Sequence, residues 1–401
     1  MRLCVITYKG CWQEEPEIWF SSGGFPLQIN ALSTLFESLI ILTFIGSPKP
    51  GGIRFVNGTQ VVGLPVSGGK GFQRTLTTLL HLPLLIQRIY HHTRNSDVLY
   101  IPVPGDIPLI GFLFGIVMRK RLIVRYGSSW VPNDQTTLMN RVVMAAMRLF
   151  AGNRNVMLVS GQGIQPPAAQ VHWLFSTAIS EAELDAIQPD LNRFSNLPLR
   201  LAYIGRLSPE KGVPVLLDSL AILKQEGFGK ESLQLDLIGD GPARAGLERM
   251  TGELGLEGEV HFVGQLSREE LIERLTSTDL CVLPSLTEGF PKARLDAFLC
   301  GVPVLTTEVG YGREVVGPNN ERGWVVPAGN VQALASALQA ILETQPDWPG
   351  FRRRCRLYAE RFTLEGWARE IGRICSSQWK LAMIDGRLSS FESWQVIGHM
   401  D

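Results

Sequence analysis

The stretch Asp279–Thr307, DLCVLPSLTEGFPKARLDAFLCGVPVLTT, carries a strand, a polar loop, a helix and a second strand in unbroken succession. Leu280–Leu283 is a short apolar run ended by Pro284, the pattern of a buried parallel strand. Ser285–Gly289 is a loop. Pro291 suits a first helical position, where its missing N–H would have no partner in any case, and the run to Leu299 is closed by Cys300-Gly301 before the strand Val302–Thr306. A helix that opens at the carboxyl end of a parallel strand aims free N–H groups into the crevice where open α/β sheets bind ligands, and those groups favour an anion.

Glu288 lies just before that helix and Asp296 on it. A carboxylate at an anion site repels the anion, so Glu288 reads as an acceptor of hydrogen bonds from hydroxyl groups, which beside a phosphate means a sugar phosphate or nucleotide. The residues alone leave the plainer reading open, with Glu288 complementing the helix dipole and Asp296 on a solvated face.

Glu288-Gly289-Phe290-Pro291, then Asp296-Ala297, then Cys300-Gly301-Val302-Pro303-Val304, resemble the signature of the retaining glycosyltransferases of family 4. The resemblance implies the GT-B fold, α/β with two Rossmann-like doubly wound domains facing a central cleft. It gives Glu288 the donor-sugar hydroxyls and Asp296 the nucleotide ribose, with Gly289, Phe290 and Pro291 beside the donor. The family has glutamate at the second acidic position. Asp296 is one methylene shorter but still an acceptor with two oxygens.

Working outward, Leu199–Ile204 reads as a strand, followed by Gly205-Arg206-Leu207-Ser208-Pro209-Glu210-Lys211-Gly212 and a helix Val213–Gln225. Two cations at the carboxyl end of a strand suit a diphosphate, each contributing roughly 4 kcal/mol of Coulomb attraction at close range in a partly screened site, before desolvation is subtracted. A solvated strand edge is the plainer reading. The segment is similar to the family's Gly-Arg-Leu-x-x-Glu-Lys-Gly motif, which implies the phosphate role for Arg206 and Lys211. Leu233–Ile238 is the next strand and ends in Gly239-Asp240-Gly241-Pro242. The third glycine of a dinucleotide fingerprint is not at the required spacing, which disfavours NAD. The resemblance further implies that Gly205, Gly239, Gly264, Gln265 and Leu266 line the nucleotide.

In the first half, Leu3–Thr7, Ile40–Ile45, Asp97–Val103 and Arg121–Val124 read as strands, Leu27–Leu39 and Pro108–Met118 as helices, and Lys9–Phe20 as a loop. Gly23 and Gly24 precede a helix, where glycine lets backbone approach a ligand closely. Family 4 enzymes carry a Gly-rich loop at this point, which makes both residues donor-site candidates. Many members have a histidine after the strand at Arg121. Here Tyr126 stands at that place, and Asp106 in the preceding loop is the second acceptor-side candidate. The glycine-rich stretch Gly63–Gly71 fails the P-loop pattern and reads as a mobile loop.

The chain has 401 residues, more than one core usually supports. The expected division is 1–192 for an acceptor-binding domain, 193–363 for a nucleotide-sugar domain, and 364–401 for a helix that crosses back to the first domain and a tail. Formal net charge is zero, but residues 1–192 hold 15 Lys and Arg against 11 Asp and Glu. That mild basic excess suits an anionic membrane surface or acceptor, or is simply a solvated face. Nucleic acid is not indicated. The six cysteines are scattered, with neither a CxxC pair nor histidine at ligand spacing, which points away from disulfides and zinc and toward a reducing compartment. The start MRLCVITY is a strand pattern and not a signal peptide, and the apolar run Ile107–Met118 is too short to span a bilayer.

The expectation is a cytoplasmic, metal-independent, retaining glycosyltransferase without a cofactor, peripheral at the inner face of a membrane. It would move a hexosyl group from a nucleotide-diphosphate sugar to a glycan or lipid-linked acceptor, as in polysaccharide or glycolipid assembly. No Asp-x-Asp sequence occurs in the chain. A nucleotide-sugar epimerase of the same fold and a non-catalytic nucleotide-binding subunit are the alternatives.

Overall fold

The computed structural model describes residues 1–49, 51–65, 72–128, 130, 132, 136–161, 165–288, 292–344 and 346–392, with side chains undescribed at 72–80 and 390–392. The chain divides into two compact units, Met1–Ala178 with Leu364–Asp401, and Ile179–Thr363.

The first unit contains, in order, β1 (Arg2–Ile6), β2 (Cys11–Glu15), β3 (Ile18–Ser21), α1 (Gly24–Ser33), β4 (Ser38–Thr43), β5 (Ile53–Arg54), β6 (Gln60–Gly63), α2 (Phe72–Thr93), β7 (Val98–Val103), α3 (Asp106–Val117), β8 (Arg121–Tyr126), α4 (Leu138–Phe150), β9 (Asn155–Ser160) and β10 (Val171–Leu174). Seven of the strands form one parallel sheet in the order β10-β9-β8-β7-β1-β4-β6. Their near-continuous apolar sequences follow from burial on both faces. The order reverses between β7 and β1.

The second unit contains α5 (Glu181–Ala186), β11 (Leu199–Ile204), α6 (Val213–Gln225), β12 (Leu233–Ile238), α7 (Arg244–Glu253), β13 (Val260–Gly264), α8 (Arg268–Thr276), β14 (Leu280–Leu283), α9 (Lys292–Leu299), β15 (Val304–Thr307), α10 (Gly312–Val316), β16 (Gly323–Val326), α11 (Val331–Thr344) and α12 (Trp348–Ala359). Its sheet is also parallel, in the order β13-β12-β11-β14-β15-β16, and reverses between β11 and β14. Residues 179–198 belong to this unit because Arg356 Nη2 donates to Leu184 O, and Arg352 Nε donates to Arg193 O at 3.1 Å. Arg352, fully buried, also pairs with Asp279 at 3.1 Å.

The chain then returns to the first unit as α13 (Leu364–Trp379), β17 (Leu381–Ile384) and β18 (Arg387–Glu392). Trp367, Ala368, Ile371 and Cys375 of α13 join Leu3, Val5, Ile29, Ile41 and Ile123 in one buried cluster on one face of the first sheet. Burying each large apolar side chain contributes about 1.5–3 kcal/mol, enough to hold the returning helix there. Leu388 N donates to Leu35 O at 3.0 Å and fixes the β17–β18 hairpin beside α1.

Besides the domain boundary, which falls after Ala178 rather than after 192, and the first helix, which runs Gly24–Ser33 rather than Leu27–Leu39, two segments differ from the sequence reading. The Lys9–Phe20 segment is not a loop but contains the antiparallel pair β2–β3, extended by β5. Its three glutamates hide the strand pattern, yet Cys11 and Trp12 are buried and Glu17 makes the turn at a φ of 64°. Arg121–Val124 extends two residues further, so Tyr126 closes β8 rather than standing in the loop beyond it.

Candidate functional site

The reversal of strand order in the second unit sets the site. Ligands of open α/β sheets bind outside the carboxyl ends of the strands where the order reverses. The loop after β11, with Gly205, Arg206 and Lys211, and the loop after β14, with Ser285 and Glu288, flank that point. Leu286 N donates to Glu210 O at 2.9 Å and ties the two loops together. Gly212, at a φ of 68°, permits this approach, since a Cβ there would lie 2.1 Å from Pro284 O.

A cavity of about 660 Å³ opens at this edge, lined by Ile204, Gly205, Arg206, Ile238, Gly239, Asp240, Gly241, Gln265, Leu266 and Leu271. Its volume is that of a nucleotide-sized ligand site. Gly239 lines it at a φ of 132°, where a Cβ would meet Gly205 O at 2.0 Å. Arg206 is exposed and makes no ion pair among the described residues. Its backbone is fixed by Tyr203, whose hydroxyl donates to Arg206 O at 2.9 Å. Burial, then the charge of Glu288, pushes the Tyr203 phenol above its ordinary range, so it remains a neutral donor.

Lys211 ends a single 3₁₀ turn, Pro209–Lys211, and its ammonium is paired with Glu288 Oε2, to which the Ser285 hydroxyl also donates at 3.3 Å. Both side chains are partly exposed. The Ser208 hydroxyl donates to Glu210 at 2.6 Å, the main reason that carboxyl sits below its ordinary value. Asp296, on α9, is not a free carboxylate: Arg268 Nη1 donates to its Oδ1 at 2.7 Å.

Of the sequence candidates, Gly205, Arg206, Gly239, Gln265 and Leu266 therefore meet around one cavity, and Gly264 closes the strand leading to the last two. Lys211 and Glu288 meet each other. Gly289, Phe290 and Pro291 lie outside the described residues. Gly23 and Gly24 stand at the start of α1 in the first unit, where Gly23 has a φ of 70° and open space about it. Asp106 opens α3 after β7, beside the reversal of the first sheet, and its carboxylate accepts from Ile107 N at 3.0 Å. Tyr126 has 0% exposure, packs edge-on against Trp130, and its hydroxyl has no partner among the described residues. It is a core residue: strand alternation turns it inward, which corrects its reading as an acceptor-side residue. Sequence reasoning passed over Tyr203, Asp240, Gly241, Arg268 and Leu271. For Gly241 the repeat of glycine at a strand end was a usable signal, but for Arg268 there was none.

Residues 189–362 match the family described as Glycosyl transferases group 1. The amylovoran biosynthesis glycosyltransferase of Erwinia amylovora is 34% identical over 156 residues, covering 37% of this chain and 37% of that protein. The alpha-D-kanosaminyltransferase of Streptomyces kanamyceticus is 29% identical over 257 residues, 60% of this chain and 66% of its own length. Among solved structures, sucrose-phosphate synthase from Thermosynechococcus elongatus superposes with a TM-score of 0.67 at 20% identity, over 94% of this chain and 98% of that one. The Anabaena protein HepE in complex with UDP does so with a TM-score of 0.66 at 18% identity, over 94% and 99%. The fold is GT-B, and the stretch 189–362, which holds every residue of the second unit's site, is of the glycosyl transferases group 1 kind.

Proposed function

We propose that the chain is a retaining glycosyltransferase of family 4, moving a hexosyl group from a nucleotide-diphosphate sugar to an acceptor hydroxyl in polysaccharide or glycolipid assembly. The observation that carries this reading is Arg206 on a nucleotide-sized cavity where the strand order reverses, with the Lys211–Glu288 pair on the loops that flank the same point. In the reaction the bond from the anomeric carbon to the diphosphate oxygen breaks and a bond to the acceptor oxygen forms on the same face. The acceptor proton passes to the departing phosphate. Charge builds on the diphosphate as that bond breaks, and preorganised cations stabilise it there without reorganising. Two such cations do the work of a metal ion, and Glu288 accepts hydrogen bonds from the donor sugar.

The donor class is supported by the neighbour in complex with UDP, and the pathway class by the amylovoran enzyme. Binding roles for Gly23, Gly24 and Asp106 belong to the same proposal, as do a cytoplasmic location and peripheral contact with an anionic membrane. No helix among the described residues is long and apolar enough to cross a membrane. The exposed Leu113 and Val117 on α3, followed by the exposed Arg119, supply apolar and basic groups of the kind such contact uses.

The test is calorimetric titration of the full chain with UDP, GDP and ADP beside an Arg206→Ala control. Selective binding of one nucleotide, lost in the control, supports the reading. Binding of none overturns it.

A further inference from the structure

Arg294, the third residue of α9, is only 1% exposed, and nothing in the reading above uses it. Its Nε and Nη2 donate to Thr306 Oγ1 at 3.1 and 2.8 Å, its Nη1 to Gly310 O at 2.6 Å, and its Nη2 also to Val309 O at 3.0 Å. All of these acceptors are neutral. Among the described residues Arg294 has no ion pair, and an unpaired buried charge costs several kcal/mol unless an opposite charge lies within reach. The carboxylates whose charge reaches it are Glu288 and, more weakly, Glu314. Burial pushes the guanidinium down to about 10, which leaves it protonated at neutral pH.

The bonds from Arg294 end on Thr306 of β15 and on the turn that follows that strand. Gly310 and Tyr311 there have φ of 57° and 62°, and a left-handed non-glycine residue costs about 1 kcal/mol or more that something must offset. The end of β15, just before that turn, touches the site, because Thr307 Oγ1 donates to Ser285 O at 2.6 Å and the Ser285 hydroxyl donates to Glu288. Arg294 is thus tied to the Glu288 loop through Thr306 and Thr307, adjacent residues of β15, while the Lys211 ammonium pairs with Glu288 directly.

That arrangement resolves a conflict. A lysine that is to meet a diphosphate cannot remain committed to a carboxylate, and a carboxylate stripped of its only cation holds on to it. With a second cation, fixed by its hydrogen bonds and within reach of its charge, Glu288 keeps a counter-charge when the lysine turns away.

We propose that Arg294 is a positioning residue of the donor site: it holds the Val309–Tyr311 turn and supplies the standing counter-charge of Glu288, so that Lys211 can transfer from Glu288 to the diphosphate. This rests on the donor-site reading above. Removing the Arg294 charge then strengthens the hold of Glu288 on Lys211 and weakens the field that attracts the diphosphate. Neutralising Glu288 as well cancels both effects.

The experiment is calorimetry of the full chain with UDP, GDP and ADP for wild type, Arg294→Met, Glu288→Gln and the double variant, with thermal melts of each. Arg294→Met lowers nucleotide affinity about tenfold or more, and adding Glu288→Gln returns it to within about threefold of Glu288→Gln alone. Arg294→Lys, which keeps the charge without the planar fork, stays within about threefold of wild type. Where Arg294→Met does not fold, Arg294→Gln, which keeps a donor for Thr306, is read in the same way. The proposal is overturned if the neutral variants bind as wild type does, if Arg294→Lys loses as much as Arg294→Met, or if the double variant stays as weak as the single one. A turn that has merely collapsed cannot be repaired at Glu288. A wild-type chain that binds none of the three nucleotides removes the donor-site reading and this proposal together, whereas normal wild-type binding with failed rescue removes the proposal alone.

Discussion

Arg268 Nη1 donates to Asp296 Oδ1 at 2.7 Å while its Nε donates to Glu183 Oε1 at 2.5 Å, so one guanidinium joins the first helix of the second unit to the acidic residue of the motif. The two carboxylates raise the Arg268 guanidinium above its ordinary range, against the opposing effect of burial, and it stays charged at every accessible pH. Asp296 is thereby held in one place with one oxygen already engaged.

Replacing Asp296 by Asn keeps the shape and removes the charge. Nucleotide affinity should fall roughly tenfold or more, the scale of one hydrogen bond to a charged group. Calorimetry with the nucleotide that wild type selects reads this directly, and unchanged affinity would remove Asp296 from the donor site.

Arg206→Ala tests the leaving-group role. Turnover, measured as release of nucleoside diphosphate, should fall by about 10² to 10³, the cost of removing one preorganised charge-stabilising group. An undiminished rate leaves Arg206 as a solvated edge residue.

Gly239→Ala places a Cβ 2.0 Å from Gly205 O at a φ that side chains avoid. The variant should lose at least about 2 kcal/mol of stability together with nucleotide binding, because the Gly205 backbone that lines the cavity must move to make room. Chemical denaturation and calorimetry on the same preparation check both parts.

Tyr126→Phe distinguishes core from site. The buried hydroxyl has no partner among the described residues, so its removal should leave the melting temperature unchanged or raise it, by up to about 1 kcal/mol of stability, and leave turnover intact. Lost turnover in a variant that melts normally would return Tyr126 to the acceptor side.

Where a segment's own residues suffice to define it, the sequence reading and the structure coincide. β11, β12, β14 and α6 occupy the residues read from their apolar runs, because each run is ended or opened by a glycine or proline and its apolar side chains are buried. The β2–β3 hairpin escaped because its strands bury only one or two residues each and present glutamates to solvent. Tyr126 was misplaced because the strand was ended two residues early, which put in a loop a residue whose side chain the sheet buries.

The sequence by itself determined the alternation of strand and helix, the loops at the strand ends, and which residue types those loops present. These depend on apolar periodicity and on glycine and proline conformation, which act within a few neighbouring residues. Only the tertiary structure decided which side chains meet. Lys211 reaches Glu288, Arg268 reaches both Glu183 and Asp296, and Arg294 turns inward to a turn beyond the next strand. Ion pairs and hydrogen bonds need the right distance and direction at once, and these are fixed by strand register and helix rotation after the sheet has assembled. No spacing along the chain encodes them.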